Sequence, residues 1–431
     1  MRKGVIDVIT LGCSKNLVDS ERLMRQFAYN GFLTRHEPRS VGGEIVVVNT
    51  CGFIGSAKEE SINTILSLIE AKKKRKIGKL IVMGCLSERY RDDLIRELPE
   101  VDRFYGKFDW KQIISDIGCS YNKLLENERL IATPSHLAYV KIAEGCNRKC
   151  SYCAIPIITG KHRSRSIEDI EHEVRSLVRG GVKEFNLIAQ DLTYYGRDLY
   201  RKPSIARLVD RLAKIDGVEW LRLHYAYPAH FPKDLPAAIA DHPNVCNYLD
   251  MALQHISDNM LRKMRRNITK AETIDLIADI RRQVPDIHLR TTLLLGHPHE
   301  EEEDFEELKE FVETMRFERL GAFAYSHEEG TFADRHYRDE IPIDVKNRRL
   351  SEIMDIQERI AEQHNARKVG QVLRVLIDKK EEPYYVGRTE YDSPEVDGEV
   401  LIADSHKLRV GNFYDVKITD SQAFDLFGEV V

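Results

Sequence analysis

The chain has 431 residues, eight cysteines, 42% hydrophobic residues and a formal net charge of −5. That length suits about three domains. No apolar run reaches membrane-spanning length, and the charge balance by itself does not suggest a nucleic-acid binder. The opening Met1-Arg2-Lys3-Gly4-Val5-Ile6-Asp7-Val8 is basic, but Asp7 interrupts any apolar signal region. It reads as a first strand rather than an export signal. Eight thiols in such a chain point to reduced cysteines and metal binding in a cytosol.

Residues 5–118 alternate strand and helix signals. Strands are expected at Val5–Leu11, Glu44–Val48 and Lys79–Met83, with amphipathic helices at Leu17–Tyr29 and Ser56–Lys74. Such alternation builds an open parallel sheet with helical crossovers. Each strand runs into a cysteine: Gly12-Cys13, Thr50-Cys51 and Gly84-Cys85. Ligands of an open α/β sheet gather beyond the carboxyl ends of its strands, so these three thiols are expected at one edge. The glycines beside them permit close backbone approach. Ordinary buried thiols are the plain alternative, but three at equivalent strand ends favour one metal centre. Cys119 and Cys246 lack this context and read as structural or incidental. The run Lys72–Lys76 reads as a solvated helix end rather than an RNA patch.

After a polar stretch near Ser120–Pro134, strand-like runs recur at Leu137–Ala143, Glu184–Ala189, Trp220–Tyr225, Asn247–Leu253, His288–Leu295 and Arg319–Tyr325. Helical patterns separate them, as in Ile167–Val178, which Gly180-Gly181 stops. Six such units make a barrel or partial barrel of the TIM type, with its site at the carboxyl ends of the strands. The first strand leads into Glu144-Gly145-Cys146-Asn147-Arg148-Lys149-Cys150-Ser151-Tyr152-Cys153, a C-x3-C-x2-C run. Three thiolates on so short a loop can share one metal centre but cannot close it, because iron–sulfur clusters normally take four cysteines. A zinc knuckle or reduced core cysteines are the other readings of the run. Zinc wants four ligands, and His162 lies outside the usual spacing.

That run and its surroundings resemble the radical S-adenosylmethionine (SAM) superfamily, in which the open iron of a 4Fe–4S cluster binds SAM. Polar groups at the other strand ends suit such a zwitterion: Gln190, Asp191, Tyr227-Pro228, Gln254-His255, Gly296-His297-Pro298 and Ser326-His327-Glu328-Glu329. A cap or loop hydrogen bond is the plain alternative for each of these. Tyr152 could offer adenine an aromatic face. The SAM contacts expected are Tyr152, Gln190, Asp191, Gln254, Gly296 and Pro298. Glu300–Asp304 should open a helix, where acids suit the dipole.

A helix over Val345–Gln363 leads into short strands at Gln371–Ile377, Tyr384–Arg388, Gly398–Ile402, Phe413–Ile418 and Phe427–Val431. Turn signals lie at Asp378-Lys379, Ser393-Pro394, Asp397-Gly398 and Gly411-Asn412. This texture is that of a small β-barrel. Residues 366–431 hold 9 Lys plus Arg against 13 Asp plus Glu, a difference of −4 within a chain total of −5. An acidic module repels tRNA and favours a basic protein partner.

The whole order resembles the methylthiotransferases: a cysteine-bearing α/β domain (1–119), a radical-SAM barrel (132–364) and a TRAM-like barrel (366–431). One branch of that family modifies an adenosine in tRNA. The other modifies the β-carbon of an aspartate in ribosomal protein S-12. Gly12-Cys13-Ser14-Lys15-Asn16, Asn49-Thr50-Cys51-Gly52-Phe53-Ile54, Met251–Ser257 and Tyr325–Thr331 resemble the second branch. Gly296-His297-Pro298-His299-Glu300 departs from the family's Gly-Phe-Pro-Gly-Glu, and Thr159 stands where a basic residue is common.

The resemblance implies SAM and two 4Fe–4S clusters. Cys146, Cys150 and Cys153 would hold the one that cleaves SAM to a 5′-deoxyadenosyl radical. Cys13, Cys51 and Cys85 would hold the one that delivers sulfur. An electron donor and a sulfur donor are required; no membrane or tRNA partner is expected. A tRNA adenosine methylthiotransferase, a radical-SAM enzyme of different outcome and a non-enzymatic zinc protein remain the rival readings.

Overall fold

The computed structural model describes residues 4–403 and 407–431. The basic start Met1-Arg2-Lys3, and Asp404 of the acidic count, lie outside the described residues.

The first sheet is built from β1 (Val5–Thr10), β2 (Leu33–His36), β3 (Ile45–Thr50), β4 (Lys79–Gly84) and β5 (Arg103–Phe104). They run parallel in the order β2-β1-β3-β4-β5. Every residue of the central β3, Ile-Val-Val-Val-Asn-Thr, is buried. Its alternate side chains feed two separate cores. Ile45 and Val47 pack with α1 (Ser14–Tyr29) and α4 (Trp110–Asp116) through Leu23, Phe27 and Ile113. Val46 and Val48 pack with α2 (Gly55–Lys73) and α3 (Cys85–Glu97) through Ile65, Leu68 and Leu94. Helices on both faces explain the continuous apolar run of β3. The edge strands β2 and β5 are too short and too polar to have been expected from the sequence.

Six parallel strands form the second sheet: β6 (Leu137–Lys141), then β9 (Glu184–Ile188), β10 (Trp220–Ala226), β11 (Val245–Gln254), β12 (His288–Leu295) and β13 (Arg319–Ala324). The order is sequential and β6 does not pair with β13, so the barrel is partial. The small pair β7 (Ala143–Glu144) and β8 (Arg163–Ser164) brackets the cysteine loop and α5 (Ile155–Thr159). The outer layer is α6 (Ile167–Arg179), α7 (Ile205–Ala213), α8 (Leu235–Ala240), α9 (Asp258–Lys263), α10 (Lys270–Gln283) and α11 (Glu302–Met315). α6 starts where the Ser166 side chain accepts from the Asp169 N–H, and it buries Ile167, Ile170 and Val174. α11 opens on the acidic run, capped reciprocally by Glu301 and Asp304.

α12 (Phe332–His336) and the long α13 (Ile343–Ala366) lead to a closed barrel of β14 (Val372–Glu381), β15 (Tyr384–Arg388), β16 (Val400–Ala403), β17 (Phe413–Ser421) and β18 (Leu426–Val430). The turn expected at Asp378-Lys379 is instead a bulge inside β14, between Ile377 and Lys379. Asp378 is held there by Arg388, at 2.6 Å, and by His136, at 2.8 Å. The chain turns later, at Glu382-Pro383.

This small barrel seals the amino-terminal ends of the larger sheet. Arg388 meets Glu184 at 2.7 Å, Asp392 pairs with Arg319, and Asp397 meets Arg290 at 3.3 Å. Asp378, Asp392 and Asp397 are therefore committed inside the chain, and the acidic excess offered to a partner is smaller than the composition implies. The carboxyl ends of the six strands stay free to face the first domain.

Candidate metal centres

Cys13, Cys51 and Cys85 follow β1, β3 and β4, which are neighbours in the sheet. Three glycines bring them together. A Cβ on Gly12, whose φ is +90°, would lie 2.7 Å from the Cys51 Cβ and 2.9 Å from its Sγ. A Cβ on Gly52 would lie 2.7 Å from the backbone of Leu86. Gly84 has φ +107° and fits against the Thr50 backbone. No other residue allows these strand ends so close.

Asn16 ties the same ends. Its Nδ2 donates to the carbonyls of Leu11 at 2.9 Å and Thr50 at 3.2 Å. Its Oδ1 faces Lys107 Nζ at 3.4 Å and the Cys85 thiol at 3.7 Å. Cys13 is exposed yet densely surrounded by protein, as a residue in a cleft is. That crowding raises its pKa, but the charges of Lys15 and Lys107 outweigh it and leave the thiol below its ordinary value. Burial pushes Cys85 up to about 12, partly offset by Lys107 and reinforced by the charges of Cys13 and Cys51.

The second set hangs from β7. Gly145, at φ +82°, makes the turn, where a Cβ would strike the Lys161 carbonyl at 2.2 Å. The Cys146 N–H donates to Gly160 O at 3.1 Å, and its Sγ accepts from the Arg148 N–H at 3.4 Å. Cys150 Sγ lies 3.3 Å from Arg266 Nη1 and 3.7 Å from the Tyr227 hydroxyl. Ser151 fastens the loop, its hydroxyl 2.9 Å from His297 Nε2. Burial pushes Cys146 up to about 12 and Cys153 higher still, each raised further by the charge of Cys150. Such thiols ionise only against compensating positive charge, which bound iron supplies.

Among the described residues, no three His, Cys, Asp or Glu side chains are placed to share one metal ion. Each set nevertheless gathers three thiols, at adjacent strand ends in the first and on one loop in the second. A 4Fe–4S cube held by three thiols would leave its fourth iron open. Arg266, buried beside Cys150, and Lys107, buried beside Cys13 and Cys85, offset the negative charge such a group carries. The donor sets thus fit 4Fe–4S clusters.

The two sets meet at one seam. Cys85, Ala154 and Ile158 form one buried cluster, and Ala154 directly follows Cys153. Lys107 Nζ reaches Asp19 at 3.0 Å and Glu144 at 3.7 Å, the latter two residues before Cys146. From β10, Tyr225 faces Lys15 while Tyr227 faces Cys150.

The residues expected at the barrel mouth are there, with differing commitments. Tyr152 is within 3.2 Å of Arg266 Nη1. Gln190 donates to Glu144, and its buried Oε1 has no partner among the described residues. Both oxygens of Asp191 are engaged, by Arg148 at 2.7 Å, Thr193 at 2.6 Å and the Tyr194 N–H at 3.2 Å. Gln254 ends β11 at φ +74°, half-buried. Gly296, at φ +74°, packs on Lys346, where a Cβ would lie 2.3 Å from Cγ. Pro298 is buried and its carbonyl lies 2.9 Å from His297 Nδ1. His299 takes φ +72°, so the left-handed turn is kept without the expected glycine, its ring edge-on to Tyr337. A non-glycine residue there costs about 1–2 kcal/mol.

Residues 140–312 match the Radical SAM superfamily, 369–431 the TRAM domain, and 5–106 an uncharacterized protein family, UPF0004. The chain is 63% identical over 431 residues, all of both chains, to ribosomal protein uS12 methylthiotransferase RimO of Parabacteroides distasonis. The protein of the same name in Porphyromonas gingivalis is 64% identical, again over all of both chains. The chain belongs to the RimO family of radical-SAM methylthiotransferases. That of Flavobacterium johnsoniae is 51% identical, over all of this chain and 98% of its own.

Two solved structures share the fold. The radical SAM methyltransferase TsrM of Kitasatospora setae has a TM-score of 0.54 at 14% identity, covering 75% of each chain. The cobalamin-dependent SAM radical enzyme OxsB has 0.51 at 12%, covering 82% of this chain and 56% of its own. As a RimO-family chain this protein is an enzyme that uses iron–sulfur and SAM chemistry. The non-enzymatic zinc reading falls.

Sequence reasoning missed Asn16, Lys107, Arg148 and Arg266 in this RimO-family site. Asn16 stood inside the Cys13 motif, and Arg148 inside the cysteine loop. Lys107 and Arg266 sit in stretches that carry no signal of their own.

Proposed function

We propose that this chain transfers a methylthio group to the β-carbon of an aspartate in ribosomal protein uS12. Cys146, Cys150 and Cys153 hold one 4Fe–4S cluster, at which SAM binds. Cys13, Cys51 and Cys85 hold a second. The observation that carries this reading is the buried cluster of Cys85 with Ala154 and Ile158, in which a cysteine of one triad meets the segment that follows the other. An unactivated C–H bond is beyond any protein side chain, so cofactors must supply that chemistry. When bound, these groups supply the electron that splits SAM and the sulfur that is transferred.

The chain's own part is to bind, orient and exclude water. Arg266 keeps a fixed positive charge at Cys150. Arg148, held by Asp191, lies with its Cζ 4.0 Å from the Tyr227 ring centroid and has a buried Nη2 that finds no partner among the described residues. That group and Gln190 Oε1 are left for the polar ends of SAM. Tyr152, Gln254, Gly296 and Pro298 complete the pocket, with Asp191 acting through Arg148. The division is 1–119, 132–364 and 366–431. An electron donor and a sulfur donor serve the enzyme in the cytoplasm. No helix among the described residues is long and apolar enough to cross a membrane.

The test is anaerobic reconstitution with iron, sulfide, SAM and dithionite, offering uS12 and tRNA side by side. Mass analysis should find one methylthio group on the uS12 aspartate. Its appearance on tRNA adenosine alone would reverse the reading.

A further inference from the structure

Lys15 is a buried ammonium with no carboxylate in contact among the described residues, although the charge of Glu144 is felt there. Its residue is 9% exposed. Its Nζ lies 3.7 Å from the centroid of the Tyr225 ring, and among the described residues it has no ion pair or hydrogen bond. Of the other buried lysines, Lys368 donates to Asn365 Oδ1 at 3.4 Å and the remaining three are ion-paired. Lys107 meets Asp19 at 3.0 Å, Lys141 meets Glu144 at 2.8 Å, and Lys346 meets Asp339 at 2.6 Å. Lysines are almost never buried unpaired, because a desolvated charge is costly. A tyrosine face compensates it in part.

Its position is specific. Lys15 stands in the first turn of α1, two residues after Cys13. Tyr225 beneath it is the next-to-last residue of β10, and two residues further Tyr227 reaches Cys150. The ammonium therefore faces the seam between the triads, where a substrate must place the carbon that is to change. In an aspartate that β-carbon is bonded directly to the carboxylate carbon, so the carboxylate enters the seam with it. Lys107 already faces the Cys13 and Cys85 side, and SAM belongs to the Cys146 side.

We infer that Lys15 receives the carboxylate of the target aspartate and so selects a side chain carrying a negative charge. This rests on the proposed reaction. A hydrogen bond to a charged group corresponds to about 10- to 100-fold in affinity.

The experiment uses reconstituted wild type, Lys15→Met and Lys15→Arg, with uS12 peptides carrying either Asp or Asn at the target. Peptide binding by fluorescence anisotropy, kcat/KM and iron per chain are read together. Wild type and Lys15→Arg should bind the Asp peptide about 10- to 100-fold more tightly than the Asn peptide. Lys15→Met should bind both alike, with iron per chain as in wild type. Retention of the preference by Lys15→Met overturns the inference, as does loss of iron from it, which would assign Lys15 to the cluster. Wild type that methylthiolates neither the Asp peptide nor intact uS12 overturns the function itself, and the inference with it.

Discussion

Cys85 of the first triad shares one buried cluster with Ala154, the residue that follows Cys153 of the second, and with Ile158. The strand ends of the first sheet are thus packed on the cysteine loop and α5 of the second domain.

Ala154 is fully buried, so a larger side chain must push the triads apart. Ala154→Leu should cost about 1–3 kcal/mol through overpacking. Its effect on catalysis should be selective: methylthio transfer falls by more than SAM cleavage does. Equal losses of both, measured as methylthio product and 5′-deoxyadenosine, would mean that the spacing does not matter.

Gly12→Ala addresses the first triad alone. The new Cβ would stand 2.7 Å from the Cys51 Cβ, on a backbone at φ +90°. Conformational strain alone is about 1–2 kcal/mol. The variant should lose the iron of the first site while keeping that of the second. Full iron per chain with unchanged melting temperature would contradict this.

The seam is also latched from outside. Glu173 of α6 meets Arg165 at 2.5 Å, Arg129 at 2.9 Å and Arg22 of α1 at 3.4 Å. Burial raises its pKa, but the three guanidinium groups outweigh that and bring it from an ordinary 4.5 down to about 2. A depressed carboxylate pKa gives stability that is complete above pH 4.5 and lost as pH falls toward 2, in all about 3 kcal/mol. Glu173→Gln should be destabilised by about 3–5 kcal/mol at neutral pH, because it strands buried arginines. It should also lack that acid-dependent loss. Thermal denaturation of both proteins from pH 7 down to pH 2.5 checks it, and parallel pH profiles would refute the latch.

Much of this was legible in the residues. Strand-end cysteines next to glycines located the first triad because parallel sheets place their carboxyl ends on one edge. The C-x3-C-x2-C spacing located the second because it is local. The six barrel strands could be read from their apolar runs. What escaped is non-local. Lys107 and Arg266 matter through neighbours distant in sequence, such as Cys13, 94 residues from Lys107, and Cys150, 116 from Arg266, and no periodicity encodes such a meeting. The acidic character of residues 366–431 misled in part, since composition cannot tell a solvated aspartate from Asp392 buried on Arg319. The bulge at Asp378-Lys379 looked like a turn for the same reason: its Asp serves a partner on another strand.

The central claim is that two triads do separate work at one seam. The most direct measurement is paired quantitation of 5′-deoxyadenosine and methylthiolated uS12 in Cys→Ala variants of each triad. Variants of Cys146, Cys150 or Cys153 should yield neither. Variants of Cys13, Cys51 or Cys85 should still cleave SAM and yield no methylthio product. Full methylthio transfer by the latter, or continued SAM cleavage by the former, would contradict the account.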